Sequence, residues 1–343
     1  MARNPRGARS RLGAARWISG LGLFLAIAGG GSAILVAQSE SEAGSITTDA
    51  AVAPALEPVD PGAVIETYLL VGSDTRQGAD QSDADYGSIG SESTTDGRRS
   101  DTIMVLRHDR EAGIASLLSL PRDLWIDVPG HGEGRINGAY SAGTDVLVEA
   151  IQDELGIPIN HYIEVDFQGF KELVDAVGGV PACFEFATRD KHTGLSVGEP
   201  GCFTLDGVQS LQYARSRHFQ EFRDGSWNED ARADLGRIAR QQRFILDAVT
   251  KAHARMAENP FEIEQLVDVA AAALVVDPEL DVLKLASRFA DLSSDQILAY
   301  QLPVWADEID GQAVLRLDRN EAKPIIDHFA GRAPPPAPAA IEA

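Results

Sequence analysis

The sequence predicts an α/β domain, with a mixed central sheet and helices on both faces (αβα layers), preceded by one N-terminal transmembrane helix. In the middle of the chain, short apolar runs typical of strands alternate with helical patterns. Near the start lies a long segment without charges. A chain of 343 residues, 44% of them hydrophobic, is also large enough to bury a sizeable core.

Residues 17–37 are predicted to form the transmembrane helix. The run from Trp17 to Val36 has twenty residues and no charge. At about 1.5 Å per residue, such a helix spans the roughly 30 Å of bilayer hydrocarbon. A cleaved signal peptide is the alternative, but this apolar run is longer than a usual signal-peptide core and no clear A-x-A site follows it.

Charge sets the predicted orientation in the membrane. The first 36 residues contain no acid and five arginines: Arg3, Arg6, Arg9, Arg11 and Arg16. The positive-inside rule therefore places residues 1–16 in the cytoplasm as a basic tail, which gives a single-pass type II protein of the cell membrane. Because the whole chain carries −22, the part after the span carries −27. Such a charge repels nucleic acid, so a transcriptional regulator is disfavoured.

Composition divides the part outside the membrane into three. Residues 38–63 are acidic, rich in Ala, Ser and Pro, and aperiodic, which is typical of a flexible linker. Residues 64–330 are predicted to form the folded domain. Residues 331–343 are predicted to form a disordered Pro/Ala tail.

Within the domain, the periodicity predicts strands and helices in alternation. The predicted strands are Ile65–Val71, Thr102–Arg107, Ile114–Leu120, Tyr162–Val165, Val180–Phe184 and Ile297–Leu302. The predicted helices are Thr144–Leu155, Gly169–Val177, one from Asp234 past Val249, Phe261–Leu274, Val282–Leu292 and Glu321–Phe329.

Cys183 and Cys202 are the two cysteines of the chain. In an oxidising compartment, two cysteines separated by a short loop are expected to pair. The disulfide is expected to stabilise the fold by about 3 kcal/mol. Two free buried thiols are the alternative, and a metal role is disfavoured because no Cys/His cluster surrounds them.

Acidic residues occur at the ends of neighbouring predicted strands. Asp74 follows the first strand in LLVGSDTR, and Asp101 opens the second in RRSDTIMVL. Open α/β sheets bind ligands beyond the carboxyl ends of their strands. Two carboxylates there could hold one hard divalent cation together with phosphate oxygens. The alternative interpretation is that these residues lie in a solvated loop and bind no ligand.

Arginines recur beside the same strand ends. Arg99 precedes Asp101, and Arg122 follows the third strand in SLPRDLWIDVP. Arg135 and Asn137 are predicted in a glycine-flanked turn, whereas Arg215 and Arg217, two apart in QYARSRH, are predicted on the same side of an extended segment.

A polar face is predicted on the long helix that begins near Asp234. Its Asp234, Arg237 and Gln241 stand three and seven positions apart and would project from one face. Arginine suits phosphate because its planar fork donates two hydrogen bonds at once. Converging arginines and acids would form a pyrophosphate site with a bridging metal. No nucleophile-and-base motif or Walker loop occurs.

In order along the chain, these motifs resemble those of the LytR–CpsA–Psr family of bacterial cell-wall proteins. The resemblance covers about residues 68–251 and rests on YLLVGSDTR, RSDTIMVL, SLPRDLWIDVP, RINGAY, HYIEVDFQGFKELVDAVGGV, LDGVQSLQYARSRH and DLGRIARQQ. It implies that residues 64–330 are an extracytoplasmic catalytic domain. The implied enzyme is a phosphotransferase that moves a glycopolymer from a polyprenyl-pyrophosphate carrier to peptidoglycan and releases polyprenyl phosphate.

The resemblance also assigns roles to residues of this chain. Asp74 and Asp101 would hold Mg²⁺ (or Mn²⁺). Arg76, Arg135 and Asn137 would bind the substrate. The catalytic set would be Arg99, Arg122, Arg215, Arg217, Asp234, Arg237 and Gln241. Two departures from the family pattern are an arginine at 135, where lysine is frequent, and a long acidic stretch between residues 77 and 97.

Three questions stay open on sequence alone. A non-catalytic module that captures lipid pyrophosphates or wall polymers would need the same arginines, and a polyprenyl-pyrophosphate hydrolase would need the same site. The general base is not assigned, with His218 the one histidine of interest. Helices over Leu147–Leu155 and Phe170–Val177 could wall a slot for the isoprenoid chain, with ordinary core helices as the alternative.

Overall fold

A seven-stranded mixed sheet is the centre of the domain. The computed structural model describes residues 46–74, 100–258, 263–289 and 292–338. In space the strands of the sheet follow the order β1-β14-β7-β2-β3-β4-β15, with parallel and antiparallel neighbours. The strands are β1 Thr47–Thr48, β2 Ile65–Ser73, β3 Ser100–Asp109, β4 Ile114–Leu120, β7 His161–Val165, β14 Leu274–Val276 and β15 Ile297–Gln301.

Smaller sheets and hairpins are attached to this one. They consist of β5 Trp125–Val128, β6 Gly132–Arg135, β8 Val180–Phe184, β9 Thr188–Asp190, β10 Leu195–Val197, β11 Gly201–Leu205, β12 Gln220–Arg223, β13 Ser226–Glu229, β16 Val304–Ile309 and β17 Gln312–Leu317. Strands β5 and β6, β8 and β11, and β16 and β17 form pairs, whereas β10-β9-β12-β13 form a four-stranded sheet.

Helices cover both faces of the central sheet, as predicted. They are α1 Ile136–Ala142, α2 Thr144–Leu155, α3 Phe167–Ala176, α4 Gly207–Arg215, α5 Ala233–Glu258, α6 Ile263–Ala273, α7 Val282–Phe289 and α8 Arg319–Phe329. Short 3₁₀ turns occur at Ala53–Ala55 and Ser294–Gln296. No helix of the described residues is long and apolar enough to cross a membrane. The predicted span, residues 17–37, lies outside them.

The sheet separates two hydrophobic cores because successive strand side chains point to opposite faces. Tyr68 and Leu70 of β2 pack with α3 to α7, which we call the first core. Leu69 and Val71 pack with α1, α2 and α8 in the second core. A strand buried on both faces reads as one continuous apolar run, which is the pattern that predicted β2.

This arrangement corrects the predicted isoprenoid slot. The apolar residues of α2 belong to the second core and those of α3 to the first. The two helices therefore lie on opposite faces of the sheet and cannot wall one slot together. Their apolar stripes are core packing, as the alternative interpretation had it.

The described part of the predicted linker is packed against the domain. Strand β1 pairs in parallel with β14, Val52 is fully buried, and the amide of Glu57 donates to Ile159 O at 2.8 Å. The folded part therefore begins before residue 64. At the other end, the Tyr300 hydroxyl donates to Pro336 O at 2.7 Å, so part of the predicted tail also contacts the domain.

Helix caps explain where several elements begin and end. Asp166 caps α3, because its carboxylate accepts from the amide of Gly169 at 2.8 Å. Asp206 and Gln209 form a capping box that starts α4. Gly156, at φ 61°, ends α2 in the left-handed conformation that glycine adopts at little cost.

Cys183 and Cys202 form the predicted disulfide. They stand directly opposite each other on the antiparallel pair β8 and β11. Their Cα atoms are 3.9 Å apart. The bond therefore joins the two strands between which β9 and β10 are inserted.

Candidate functional site

The candidate site lies at one edge of the central sheet, where three strands bring their ends together. Strands β2 and β4 both run antiparallel to β3, so their carboxyl ends flank the beginning of β3. Ser73 pairs with Ser100, and Ile103 pairs with Leu120. Asp74 directly follows β2, and Arg122 is the second residue after β4, so both lie at this edge of the sheet.

Both of these residues are buried. Asp74 is 5% exposed and Arg122 is 3% exposed. Pro121, which ends β4, turns the chain out of the sheet because proline has no N–H for the strand ladder. The Nε of Arg122 lies 3.5 Å from Asp123 Oδ2.

Arg215 reaches the same edge from α4. Gly72 of β2 and Val165 of β7 are parallel partners, and Asp74 and Phe167 each lie two residues after one of them. The Arg215 guanidinium lies over the Phe167 ring, 4.8 Å from its centre, and is 1% exposed. Arg215 is the last residue of α4, whereas it was predicted to lie in an extended segment. The capping box of α4 was the missed helix signal.

Asp190 organises the segment that carries Arg217. Its Oδ2 accepts from the Ser216 hydroxyl at 2.8 Å and from the amides of Arg217 and His218 at 3.1 and 3.0 Å. Burial raises the pKa of Asp190, but hydrogen bonds, foremost from the His192 amide, outweigh it and hold the pKa below its ordinary value. Asp190 was not predicted, since an aspartate in TRDKH resembles any turn residue.

Helix α5 closes the site from the side of the first core. Gln241 Nε2 donates to Ala214 O at 3.1 Å, and Gln242 Nε2 donates to Ser119 Oγ at 3.0 Å. The helix therefore spans from the end of α4 to the end of β4. Arg237, one turn before Gln241, is 1% exposed. The predicted helical face of Arg237 and Gln241 is thus buried against the site.

Arg240 is a further arginine of this helix. Its Nη2 donates to Ser216 O at 2.7 Å and its Nη1 to Asp230 Oδ2 at 2.8 Å. Ser216 directly precedes Arg217, so Arg240 stabilises the segment that carries Arg217. Arg240 lies in the motif DLGRIARQQ but was not among the predicted site residues.

A cleft of about 440 Å³ adjoins Arg122 on the side of the second core. It is lined by Arg122, Trp125, Glu133, Arg135, Asn137 and Gln312. Arg135 Nη2 donates to Ala313 O at 2.8 Å, and the amide of Asn137 donates to Arg122 O at 3.2 Å. Arg135 ends β6 and Asn137 belongs to α1, so the predicted glycine-flanked turn was wrong as local structure. Trp125, which was not predicted, lies in the motif that carries Arg122.

Four predicted site residues are described in part or not at all. Arg76 and Arg99 lie outside the described residues. Asp101 lies in β3 and Asp234 in α5, and only their backbones are described. The position of Asp101 follows from the register, which puts it at the beginning of β3 between the ends of β2 and β4.

Comparison with known proteins agrees with this fold. Residues 37–329 match the LytR_cpsA_psr family. The chain belongs to this family.

Relatives in the LytR_cpsA_psr family include cell-wall proteins. The chain is 29% identical over 307 residues to the cell wall biosynthesis protein LcpA of Corynebacterium glutamicum. The match covers 78% of this chain but only 56% of that protein. It is 29% identical over 220 residues to the polyisoprenyl-teichoic acid–peptidoglycan teichoic acid transferase TagU of Enterococcus faecalis, 61% of this chain and 68% of that protein. A LytR-Csp2A-Psr enzyme from Actinomyces oris is similar in structure, with a TM-score of 0.61 at 25% identity over 77% of this chain and 89% of that one.

Proposed function

We propose that this chain is a membrane-anchored phosphotransferase that moves a glycopolymer from a polyprenyl-pyrophosphate carrier to peptidoglycan outside the cytoplasmic membrane. One observation carries the proposal. Three arginines, Arg122, Arg215 and Arg237, are almost fully buried, and they lie on segments that end or pack near the end of the sheet at which Asp74 lies. The name of the TagU relative, a teichoic acid transferase, supports the same class of reaction.

The arginines suit a pyrophosphate and not a neutral sugar. A guanidinium is planar and always charged, which matches the shape and charge of phosphate groups. Each arginine guanidinium can donate two hydrogen bonds to phosphate oxygens. Arg122 would approach the pyrophosphate from the side of the second core, and Arg215 and Arg237 from the side of the first. Arg217, held by Asp190, would complete this set.

The acidic residues fit a small, hard divalent cation. Within the described residues, no three side chains of His, Cys, Asp or Glu converge as a metal site. Mg²⁺ does not require such a cage, because it commonly binds one or two carboxylates together with water and substrate phosphates. Asp74 and Asp101 would supply those carboxylates. When bound, the cation would neutralise charge on the phosphate oxygens.

The proposed reaction exchanges a phosphoanhydride bond for a phosphodiester bond. The oxygen of an acceptor sugar hydroxyl attacks the phosphorus that carries the glycopolymer, and a new P–O bond forms in line with the bond that breaks. Polyprenyl phosphate leaves with the electrons of the bridging P–O bond, while the hydroxyl proton passes to a base. The arginines stabilise the charge that develops on the leaving phosphate.

Localisation follows from the same proposal. Residues 17–37 would anchor the protein in the membrane that holds the lipid-linked donor, with the catalytic domain on the extracytoplasmic side. The partners are therefore the polyprenyl-pyrophosphate-linked glycopolymer, the peptidoglycan acceptor and the cytoplasmic membrane, with no role for nucleic acid.

The test is incubation of the full chain with a polyprenyl-pyrophosphate-linked saccharide and Mg²⁺, with and without peptidoglycan, followed by analysis of lipid and sugar products. Metal-dependent attachment of the saccharide to peptidoglycan is expected. Cleavage to polyprenyl phosphate without attachment would assign a hydrolase instead. Tight binding without any turnover would assign a capture module.

A further inference from the structure

One surface outside the candidate site combines exposed aromatic rings with charged and amide groups. It is the outer face of the four-stranded sheet, and we call it the hairpin face. It consists of Arg189, His218, Gln220, Phe222, Trp227 and Glu229. Phe222 is 42% exposed, one of few large hydrophobic side chains of the described residues on the surface.

The register of the small sheet places these side chains together. Gln220 pairs with Glu229 and Phe222 pairs with Trp227 across the β12–β13 hairpin. Arg189 of β9 pairs with Gln220 on the other side. Cross-strand partners, and residues two apart on one strand, point to the same face of a sheet.

Side-chain contacts join the hairpin face into one continuous row. The Arg189 guanidinium lies 3.9 Å from the centre of the Trp227 ring, and its Nε donates to Gln220 Oε1 at 2.9 Å. The rings of Phe222 and Trp227 are 5.4 Å apart.

At the other end of the row, His218 Nδ1 lies 2.7 Å from Glu229 Oε1. His218 directly follows Arg217, so the row leads from the hairpin tip to the proposed pyrophosphate site. Phe222 is five residues from Arg217, at most about 17 Å of extended chain.

The hairpin is held firmly enough to act as a rigid binding surface. Its tip is Asp224 and Gly225, both with positive φ, as the tight turn of a two-residue hairpin requires. At its base, the amide of Asp230 donates to Phe219 O at 2.8 Å. The Asp230 carboxylate pairs with Arg240 of α5, so the base of the hairpin is tied to the same helix that carries Arg237.

We propose that the hairpin face binds the glycan strand of the peptidoglycan acceptor and guides its hydroxyl group to the pyrophosphate site. This inference rests on the proposed function. Sugar rings have apolar C–H faces and polar edges. A surface for them needs aromatic rings next to hydrogen-bonding groups, which Phe222, Gln220 and Glu229 provide.

Two other occupants fit the chemistry less well. An isoprenoid chain would need a continuous apolar groove, whereas here Arg189, Gln220 and Glu229 interrupt the rings. An anionic lipid surface would need a basic patch, whereas Glu221 and Glu229 lie on the hairpin and the protein is strongly acidic. His218 of the hairpin face is next to Arg217 in sequence, and this favours the acceptor as the ligand. The acceptor hydroxyl has to reach the phosphorus of the lipid-linked donor, which would bind at the pyrophosphate site.

Co-sedimentation with isolated peptidoglycan sacculi, stripped of attached polymers, tests the proposal with the full chain in detergent. Phe222→Ser is the test variant. Trp305→Ser is the matched control, because Trp305 is 49% exposed on a different hairpin, β16–β17. We expect Phe222→Ser to weaken sacculus binding about tenfold or more, and Trp305→Ser to leave it unchanged.

A second measurement separates this proposal from the proposed function. Phe222→Ser should bind the lipid-linked donor as tightly as the wild type does, while transfer to peptidoglycan falls with the loss of sacculus binding. Unchanged sacculus binding by Phe222→Ser would overturn the assignment, and so would a loss confined to binding of phospholipid vesicles or to self-association. If the wild type itself transfers no saccharide but Phe222→Ser still loses sacculus binding, the proposed function fails and the glycan surface stands.

Discussion

At the residue scale, the site depends on side chains that hold the arginines as much as on the arginines themselves. Asp190 fixes Ser216, Arg217 and His218 through one carboxylate oxygen. Arg240 holds Ser216 from the other side. This preorganisation would lower the entropy cost of ordering the loop when Arg217 binds the proposed pyrophosphate.

Asp190→Asn should therefore lower both stability and turnover. An amide oxygen is a weaker acceptor than a carboxylate, so we expect a loss of about 1–3 kcal/mol in the free energy of unfolding. Because the pKa of Asp190 is depressed in the folded protein, its contribution is fully present above the ordinary carboxylate pKa of about 4 and is lost as pH falls through the folded-state value.

Urea unfolding of wild type and Asp190→Asn at several pH values measures this contribution. The two curves should be furthest apart near neutral pH and converge in acid. A difference in stability that does not change with pH would contradict the role of the Asp190 charge.

Residue-level prediction from sequence succeeded where a residue follows a clear strand or lies on a strong helix. Asp74 and Arg122 lie beyond strand ends, and Arg237 and Gln241 lie buried on one helix, as expected. Arg215 ends a helix, whereas an extended segment was predicted, and the roles of all five residues stay predictions. Asp190 and Trp125 were missed because their importance depends on contacts between segments far apart in sequence, such as that of Asp190 with Ser216.

At the element scale, close approaches between helices and strands fix the frame of the site. Gly169 of α3 faces the end of α6, where an added Cβ would lie 2.5 Å from Ala273 O. Gly138 of α1 has nothing within 4 Å of such an atom. Strands β1 and β14 of the central sheet were missed, whereas its other five, β2, β3, β4, β7 and β15, were predicted from their apolar runs. The short hairpins were not, because exposed, polar strands of four residues carry little periodic signal.

Gly169→Ala and Gly138→Ala form a matched pair of helix variants. The added methyl at 169 would push α3 from α6, so we expect a loss of about 1–3 kcal/mol in the free energy of unfolding. At 138 the better helix propensity of alanine should leave stability unchanged or raise it by up to about 1 kcal/mol. Thermal unfolding of both variants checks this, and equal melting temperatures would contradict the close packing of α3 on α6.

The disulfide is a second element-scale feature. Joint replacement of Cys183 and Cys202 by serine should lower the free energy of unfolding by about 3 kcal/mol, because the unfolded chain loses a covalent loop. Wild type unfolded in reductant should match the variant. Two reactive thiols in the unreduced, denatured wild type would contradict the bond.

At the scale of the whole molecule, the domain brings groups from both faces of one sheet to a single edge. Helix α1 adjoins Arg122 from the second core, and α4 and α5 bring Arg215 and Arg237 from the first. This topology was predicted as a class, whereas the spatial order of the strands was not, since β14 enters the sheet from near the end of the chain.

The most direct measurement compares the initial rate of Mg²⁺-dependent polyprenyl phosphate release by wild type, Asp74→Asn and Asp268→Asn. Asp74→Asn keeps the shape of the buried side chain but removes its charge, so we expect the rate to fall about a hundredfold or more. Asp268→Asn, an exposed change on α6, should release product at the wild-type rate. Release by Asp74→Asn at the wild-type rate would contradict the account of the site.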